Sequence, residues 1–339
     1  MTCRIILLAL FIRVLIALAT RTFFQPDEYF QSLEVAHHLA FGYGRLTWEW
    51  LAQDPIRSIF YPALNAPVYF ALKQLKLDNT RWLIWGPKIL HGVLASGTDI
   101  ALARLTRRVL GEKYVTTAIF LSLTSVFHGL ALSRSLSNSL ETTFTTIALS
   151  FLPWDFTLPG WRNELQISLQ FAAFACAVRP TSAVIWIYIF PLMLWQQRRN
   201  IEVITVTFTK GIFMGVLWCW FMFILDSNYF GKPTFTALNF LRANLSSISL
   251  FYGANSWHYY FTQAIPILCT TTLPFVLHGA WLASRPDGTR PAKVLLGLTA
   301  WTVLIYSLAG HKEWRFIHPL LPIMHIFAAK SLVDSFTAS

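Results

Sequence analysis

The stretch LQISLQFAAFACAVRPTSAVIWIYIFPLMLW, running from Leu165 to Trp195, decides how this chain is folded. It holds 31 residues of nearly continuous apolar sequence, where one bilayer crossing needs only about 20. Arg179-Pro180 interrupts it near the middle. Proline has no N–H to offer a continuing helix, and arginine is costly in lipid, so the stretch reads as two short crossings that turn at this dipeptide. With two crossings, the basic clusters Arg104/Arg107/Arg108/Lys113, Arg198/Arg199 and Arg285/Arg290/Lys293 fall on one side of the membrane. With one crossing, the last two clusters oppose the first. Lys and Arg collect in cytoplasmic loops, which selects two crossings and puts those clusters in the cytosol.

Working outward, further apolar stretches lie near 4–20, 83–103, 115–131, 136–153, 201–225, 262–283, 294–309 and 317–333. The expectation is an all-α polytopic membrane protein with about ten transmembrane helices. Composition agrees: of 339 residues, 55% are hydrophobic and only 13% charged, against about 25% charged in soluble domains. Mean hydropathy is +0.50. A soluble globule, a disordered chain, a collagen and a disulfide scaffold are all excluded. The net charge of +11 reads as topology determinants, because no Lys/Arg stripe with interleaved aromatics suggests nucleic acid. Cys3, Cys176, Cys219 and Cys269 stand singly without metal spacing, and read as small hydrophobes.

Arg4–Thr20 is apolar apart from Arg13. No small-x-small site follows before Arg21-Thr22, so this segment reads as an uncleaved signal anchor and first span. The mixed, aromatic segment 21–81 suits short helices lying in the membrane interface. The same bookkeeping puts 21–81, roughly 226–261, and the turn His311–Arg315 on the non-cytosolic side. Asn244-Leu245-Ser246 in the second of these is a candidate N-glycosylation site.

Three constellations can carry chemistry on that side. Pro26-Asp27-Glu28-Tyr29 sets two carboxylates between aromatics at a membrane exit. Such a carboxylate can take a proton from a hydroxyl; equally, acids favour the first turn of an interfacial helix. His311, Lys312 and Arg315 can together bind a phosphate, with Glu313 orienting one of them. The alternative is a snorkelling basic cluster, disfavoured by the tightness of the turn and its side of the membrane. The run from Phe251-Tyr252-Gly253 to Trp257-His258-Tyr259-Tyr260-Phe261 fits an aromatic belt or a sugar-stacking surface. Arg134 and Arg179 either face the site or pair within the bundle, and Arg179 reads as structural. P-loop, Rossmann, HExxH, G-x-S-x-G and DxD patterns are absent, which disfavours ATP-driven transport and nucleotide-sugar chemistry.

In this order, these segments resemble the multi-spanning mannosyltransferases of the endoplasmic reticulum that use dolichyl-phosphate mannose, glycosyltransferase family 22, with a GT-C fold. Pro26-Asp27-Glu28-Tyr29 is similar to the acidic motif of that family's first luminal loop. His311-Lys312-Glu313-Trp314-Arg315-Phe316 is similar to its HKE-x-RF signature, with Trp314 where Phe is usual. Finer matches run through Arg21–His37, Gly42–Trp50, Leu136–Thr142, Asn239–Ser247 and Trp257–Gln263.

The resemblance implies a single GT-C domain over 1–339 with a first luminal catalytic loop at 21–81 and a second luminal loop at 226–261. The implied activity is inverting transfer of a third, α1,2-linked mannose from dolichyl-phosphate mannose to a two-mannose GPI precursor, on the luminal face of the endoplasmic reticulum. Asp27 would be the base, assisted by Glu28. His311, Lys312 and Arg315 would hold the donor phosphate, Glu313 would orient them, and Trp257, His258 and Arg134 would contribute to substrate binding. The implied partners are the donor lipid, the glycolipid acceptor and membrane lipids. No cofactor is expected, and a metal is not obligatory for a leaving group with one phosphate. Family members continue beyond the HKE-x-RF turn, so the chain is expected to be C-terminally incomplete. The rivals are a sister enzyme of N-glycan precursor mannosylation or of the fourth GPI mannose, and a non-enzymatic lipid carrier or transporter.

Overall fold

The computed structural model describes residues 3–245 and 253–338. Within them the secondary structure is helical throughout, and ten helical passes run between two faces. The first is α1 (Cys3–Ala19). Four short helices follow on one face: α2 (Glu34–Phe41), α3 (Trp48–Leu51), α4 (Phe60–Ala63) and α5 (Ala66–Gln74). Next come α6 (Trp82–Val109), α7 (Val115–Thr124, extended by a π-turn at His128–Leu132) and α8 (Ser137–Phe151). The stretch that decides the topology forms α9 (Trp161–Val178) and α10 (Ala183–Gln196). Arg179 between them is extended, and Pro180 opens a single 3₁₀ turn, so the break falls at the expected dipeptide.

The remaining elements are α11 (Ile201–Phe230), α12 (Thr236–Leu245), α13 (Ile265–Cys269), α14 (Leu273–Ser284), α15 (Arg290–Leu308) and α16 (Leu321–Ala338). A π-turn at Tyr260–Ala264 leads into α13, and a 3₁₀ turn at Trp314–Leu320 leads into α16. Thus α11 runs four residues past the sequence-derived start of the second loop. Among the described residues, four passes are long and apolar enough to cross a membrane by length and composition: α11, Tyr260–Ser284, α15 and Trp314–Thr337. Of the others, α10 is apolar but shorter, and α6 hides Thr98 against Thr143 of α8 at 2.9 Å.

Contacts near the helix ends fix which ends share a face. Thr289 donates to the Val109 carbonyl, Arg290 to Gln196 and Tyr114 to Asp334. Arg104 and Arg108 both reach Glu164. All three basic clusters therefore gather on one face, as two crossings through Leu165–Trp195 require. The chain is a multi-pass membrane protein.

One ion pair lies wholly buried between α1 and α6. Arg13 of α1 is fully buried and grips Asp99 of α6 through Nε at 2.7 Å and Nη2 at 2.9 Å. Close backbone approach requires glycine at two helix crossings. A Cβ on Gly92 would meet Val14 Cα at 2.8 Å, and one on Gly279 of α14 would stand 1.8 Å from the Phe327 carbonyl oxygen.

Candidate active site

The face opposite the basic clusters carries both acidic and basic motifs, and one ion pair joins them. Arg315 Nη1 donates to Asp27 Oδ2 at 2.5 Å, closing a separation of 288 residues. The other edge of the same guanidinium grips Glu313, Nε to Oε2 at 2.6 Å and Nη2 to Oε1 at 2.9 Å. That two-point fork fixes the plane of Arg315 and leaves Nη1 aimed at Asp27.

Adjacent in sequence, Asp27 and Glu28 part company in space. Glu28 Oε1 accepts the N–H groups of Phe24 at 2.6 Å and Gln25 at 3.1 Å, and Arg134 lies 3.3 Å away. Glu28 is thus buried in closing its own turn. Arg134 fastens that turn from behind, donating also to the carbonyls of Thr22 at 2.5 Å and Leu130 at 2.6 Å. Asp27 is left partly exposed on the open side. A wedge of rings holds the two loops in register: Phe24 packs on Trp314 at 5.4 Å and on Phe127 at 6.1 Å, edge to face.

The tight turn after α15 is heavily tied. His311 sits between Glu313 Oε1, 3.1 Å from Nε2, and the Gly253 carbonyl, 3.0 Å from Nδ1. A carboxylate and a carbonyl only accept, so both ring nitrogens donate and the imidazolium is favoured. The hydrogen bond to Glu313 accordingly raises the His311 pKa, against the opposing effect of burial. Burial pushes the Glu313 carboxyl up, but the hydrogen bonds from His311 and Arg315 outweigh it and bring Glu313 to about 2. Lys312 turns inward, donating to the carbonyls of Asn255 at 2.7 Å and Ala309, and burial lowers its pKa. Asn255 answers by donating to the Lys312 carbonyl at 2.8 Å.

The structure therefore brings together Asp27, Arg315, Glu313 and His311, with Lys312 serving the backbone beside them. Trp257 is 70% exposed and meets His258 edge to face at 5.7 Å, while His258 Nδ1 is 3.2 Å from Thr262 Oγ1. Asn244 lies in α12 with its amide donating to the Phe240 carbonyl. Ser246 of its sequon, and Phe251 and Tyr252 of the aromatic run, lie outside the described residues.

Sequence reasoning named Arg179 as structural and quoted the segments that hold Asn138 and Gly253, but it did not find the partners of these residues. Arg179 pairs with Glu141 of α8 at 3.0 Å, and its guanidinium lies over the Phe316 ring at 5.3 Å. Asn138 donates to the Arg315 carbonyl at 3.1 Å. Gly253 and Asn255 bring the second loop onto the turn. Each has an ordinary residue type, and only the distant partner gives it meaning. Beside Arg179, whose neighbours Val178 and Pro180 are among its lining residues, α9, α10, α11 and α12 line a partly open apolar cavity of about 330 Å³ that Arg57 of the first loop also lines. Among the described residues, no group of three or more His, Cys, Asp or Glu is placed to hold a metal ion.

Comparison with known proteins gives one consistent picture. The Alg9-like mannosyltransferase family matches residues 4–338. GPI alpha-1,2-mannosyltransferase 3 of Mus musculus is 36% identical over 331 residues, covering 97% of this chain and 58% of that protein. GPI mannosyltransferase 3 of Yarrowia lipolytica is 37% identical, covering 95% and 61%, and the Homo sapiens GPI alpha-1,2-mannosyltransferase 3 is 34% identical, covering 97% and 57%. The chain spans about three fifths of the length of these relatives. Among solved structures, ArnT from Cupriavidus metallidurans bound to undecaprenyl phosphate superposes with a TM-score of 0.70 at 14% identity, covering 96% of this chain and 59% of ArnT. That likeness establishes the GT-C fold.

Proposed function

The chain belongs to the Alg9-like mannosyltransferase family, and on that premise we propose that it is the inverting enzyme that adds a third, α1,2-linked mannose to a two-mannose GPI precursor. Its donor is dolichyl-phosphate mannose, and it works on the luminal face of the endoplasmic reticulum membrane. The reading agrees with the names of its relatives and with the resemblance to GPI mannosyltransferase 3 of the PIG-B type. The observation that supports it is the Asp27–Arg315 pair, in which a carboxylate lies beside a guanidinium.

In the proposed reaction, Asp27 accepts the proton of the acceptor hydroxyl as that oxygen attacks the anomeric carbon of mannose. The bond from that carbon to the lipid phosphate breaks on the opposite side, so a β-linked donor gives an α-linked product in one displacement. Arg315 and the protonated His311 stabilise the charge that returns to the leaving phosphate. Glu313 keeps both in position. Glu28 and Arg134 act through the loop, presenting Asp27 rather than touching substrate.

Membranes bearing Asp27→Asn should incorporate the protein normally yet fail to elongate the two-mannose precursor, with a loss of at least about a hundredfold expected for removing a general base. Elongation at the normal rate overturns the base assignment.

A further inference from the structure

Arg315 is held by its backbone as well as by its guanidinium. Glu313 and His311 belong to the same turn as Arg315, and Asp27 belongs to a loop. Asn138 comes from the bundle itself. It is the second residue of α8, only 1% exposed, and its Nδ2 donates to the Arg315 carbonyl at 3.1 Å. A side-chain amide has a donor on one side and an acceptor on the other, so this bond forms only while the amide faces the right way.

Arg179 sets that direction. Its Nη1 donates to Asn138 Oδ1 at 3.4 Å and to Ser137 Oγ at 3.2 Å, and its Nε stands 3.0 Å from Glu141 Oε2. A guanidinium only donates. The side of the amide turned to Arg179 must then be oxygen, which leaves nitrogen for the Arg315 carbonyl. Glu141, three residues along α8 from Asn138 and 1% exposed, holds the guanidinium in place. That guanidinium also lies 5.3 Å from the centre of the Phe316 ring, which Arg315 approaches at 6.0 Å and His311 meets edge to face at 5.7 Å. Val178 and Pro180 line the neighbouring cavity, whereas Arg179 turns to α8 and to this ring.

We propose that Arg179, Glu141 and Asn138 are positioning residues for mannose transfer, a brace that fixes where Arg315 stands opposite Asp27. The assignment deepens, and rests on, the enzymatic reading above. The brace acts through the Arg315 backbone and the Phe316 ring without meeting substrate. A shift of about 1 Å in a reacting group can cost a hundredfold in rate, so residues outside the site can govern kcat.

The test uses the full chain in nanodiscs with dolichyl-phosphate mannose and the two-mannose precursor. Asn138→Asp keeps the shape of the side chain and its partnership with Arg179, but sets an acceptor against the Arg315 carbonyl. Its Tm should stay near that of the wild type while kcat falls about tenfold to a hundredfold, with the donor KM moving far less. Glu141→Leu combined with Arg179→Met removes both buried charges. This double variant should regain most of the Tm lost in Glu141→Leu alone, yet little of the activity.

Wild-type kcat in Asn138→Asp overturns the proposal, as does kcat that falls and recovers only in step with Tm across these variants. If the unaltered chain transfers no mannose, the enzymatic reading falls on that result alone. The brace is then judged by the Asp27–Arg315 separation in a cryo-electron microscopy structure of Asn138→Asp. It should lengthen beyond hydrogen-bond reach, and a separation that stays near 2.5 Å overturns the brace.

Discussion

Arg315 is the residue on which the two halves of the site depend. Its fork on Glu313 sets the direction of its bond to Asp27, and lysine cannot reproduce a planar fork. Arg315→Lys should therefore lose most mannose transfer although its charge is kept, measured as kcat/KM in microsomes. The Glu313–His311 link makes a pH prediction. The raised His311 pKa means that its contribution to stability is complete below the ordinary value of 6.5 and is lost as pH rises through the higher, folded value. Glu313, depressed to about 2, contributes above its ordinary 4.5 and loses that contribution only as pH falls toward 2. The difference in Tm between the wild type and His311→Gln should thus be largest near pH 6 and shrink on the alkaline side; a difference that grows with pH contradicts the assignment. At this scale the sequence singled out residues that the structure brings together, but not how their contacts are divided. Nothing in Asp27-Glu28 tells that one carboxylate faces Arg315 while the other caps backbone N–H groups, because the deciding partners come from 106 and 288 residues away.

Among elements, the turn between α9 and α10 was the most legible, since proline and arginine are punctuation that acts locally. Its anchoring was not. Arg179 is held by Glu141, whose place in α8 looks like one more polar position in a threonine-rich helix. Glu141→Leu leaves a buried guanidinium without its carboxylate, a change that costs about 3–5 kcal/mol; the variant should show a lower Tm, and Arg179→Met added to it should recover much of the loss. The α14–α16 crossing is stricter. With the Phe327 carbonyl 1.8 Å from where a Cβ would stand, even Gly279→Ala must push two backbones apart, and thermal unfolding should begin several degrees earlier.

On the scale of the molecule, the apolar stretches and their basic loops were enough to anticipate ten passes, because hydropathy and charge asymmetry act along the chain without need of partners. The short helices α2–α5 were foreseen only as interfacial helices without boundaries, since their ends are set by docking onto other elements, as Asp226 of α11 shows by accepting Ser58 Oγ at 2.8 Å. Single cysteines in place of Arg199 and Ser256 should react with a membrane-impermeant maleimide from opposite sides of sealed microsomes, and labelling from the same side contradicts the arrangement. The Arg13–Asp99 pair has a further consequence, for how the chain is made. An arginine in the middle of α1 resists partitioning into lipid alone, by about 2.5–3.5 kcal/mol at a helix centre, and its carboxylate lies 86 residues downstream. At about 5–20 residues per second, the ribosome delivers Asp99 roughly 4 to 17 seconds after Arg13, an interval in which the arginine of α1 waits for its native carboxylate.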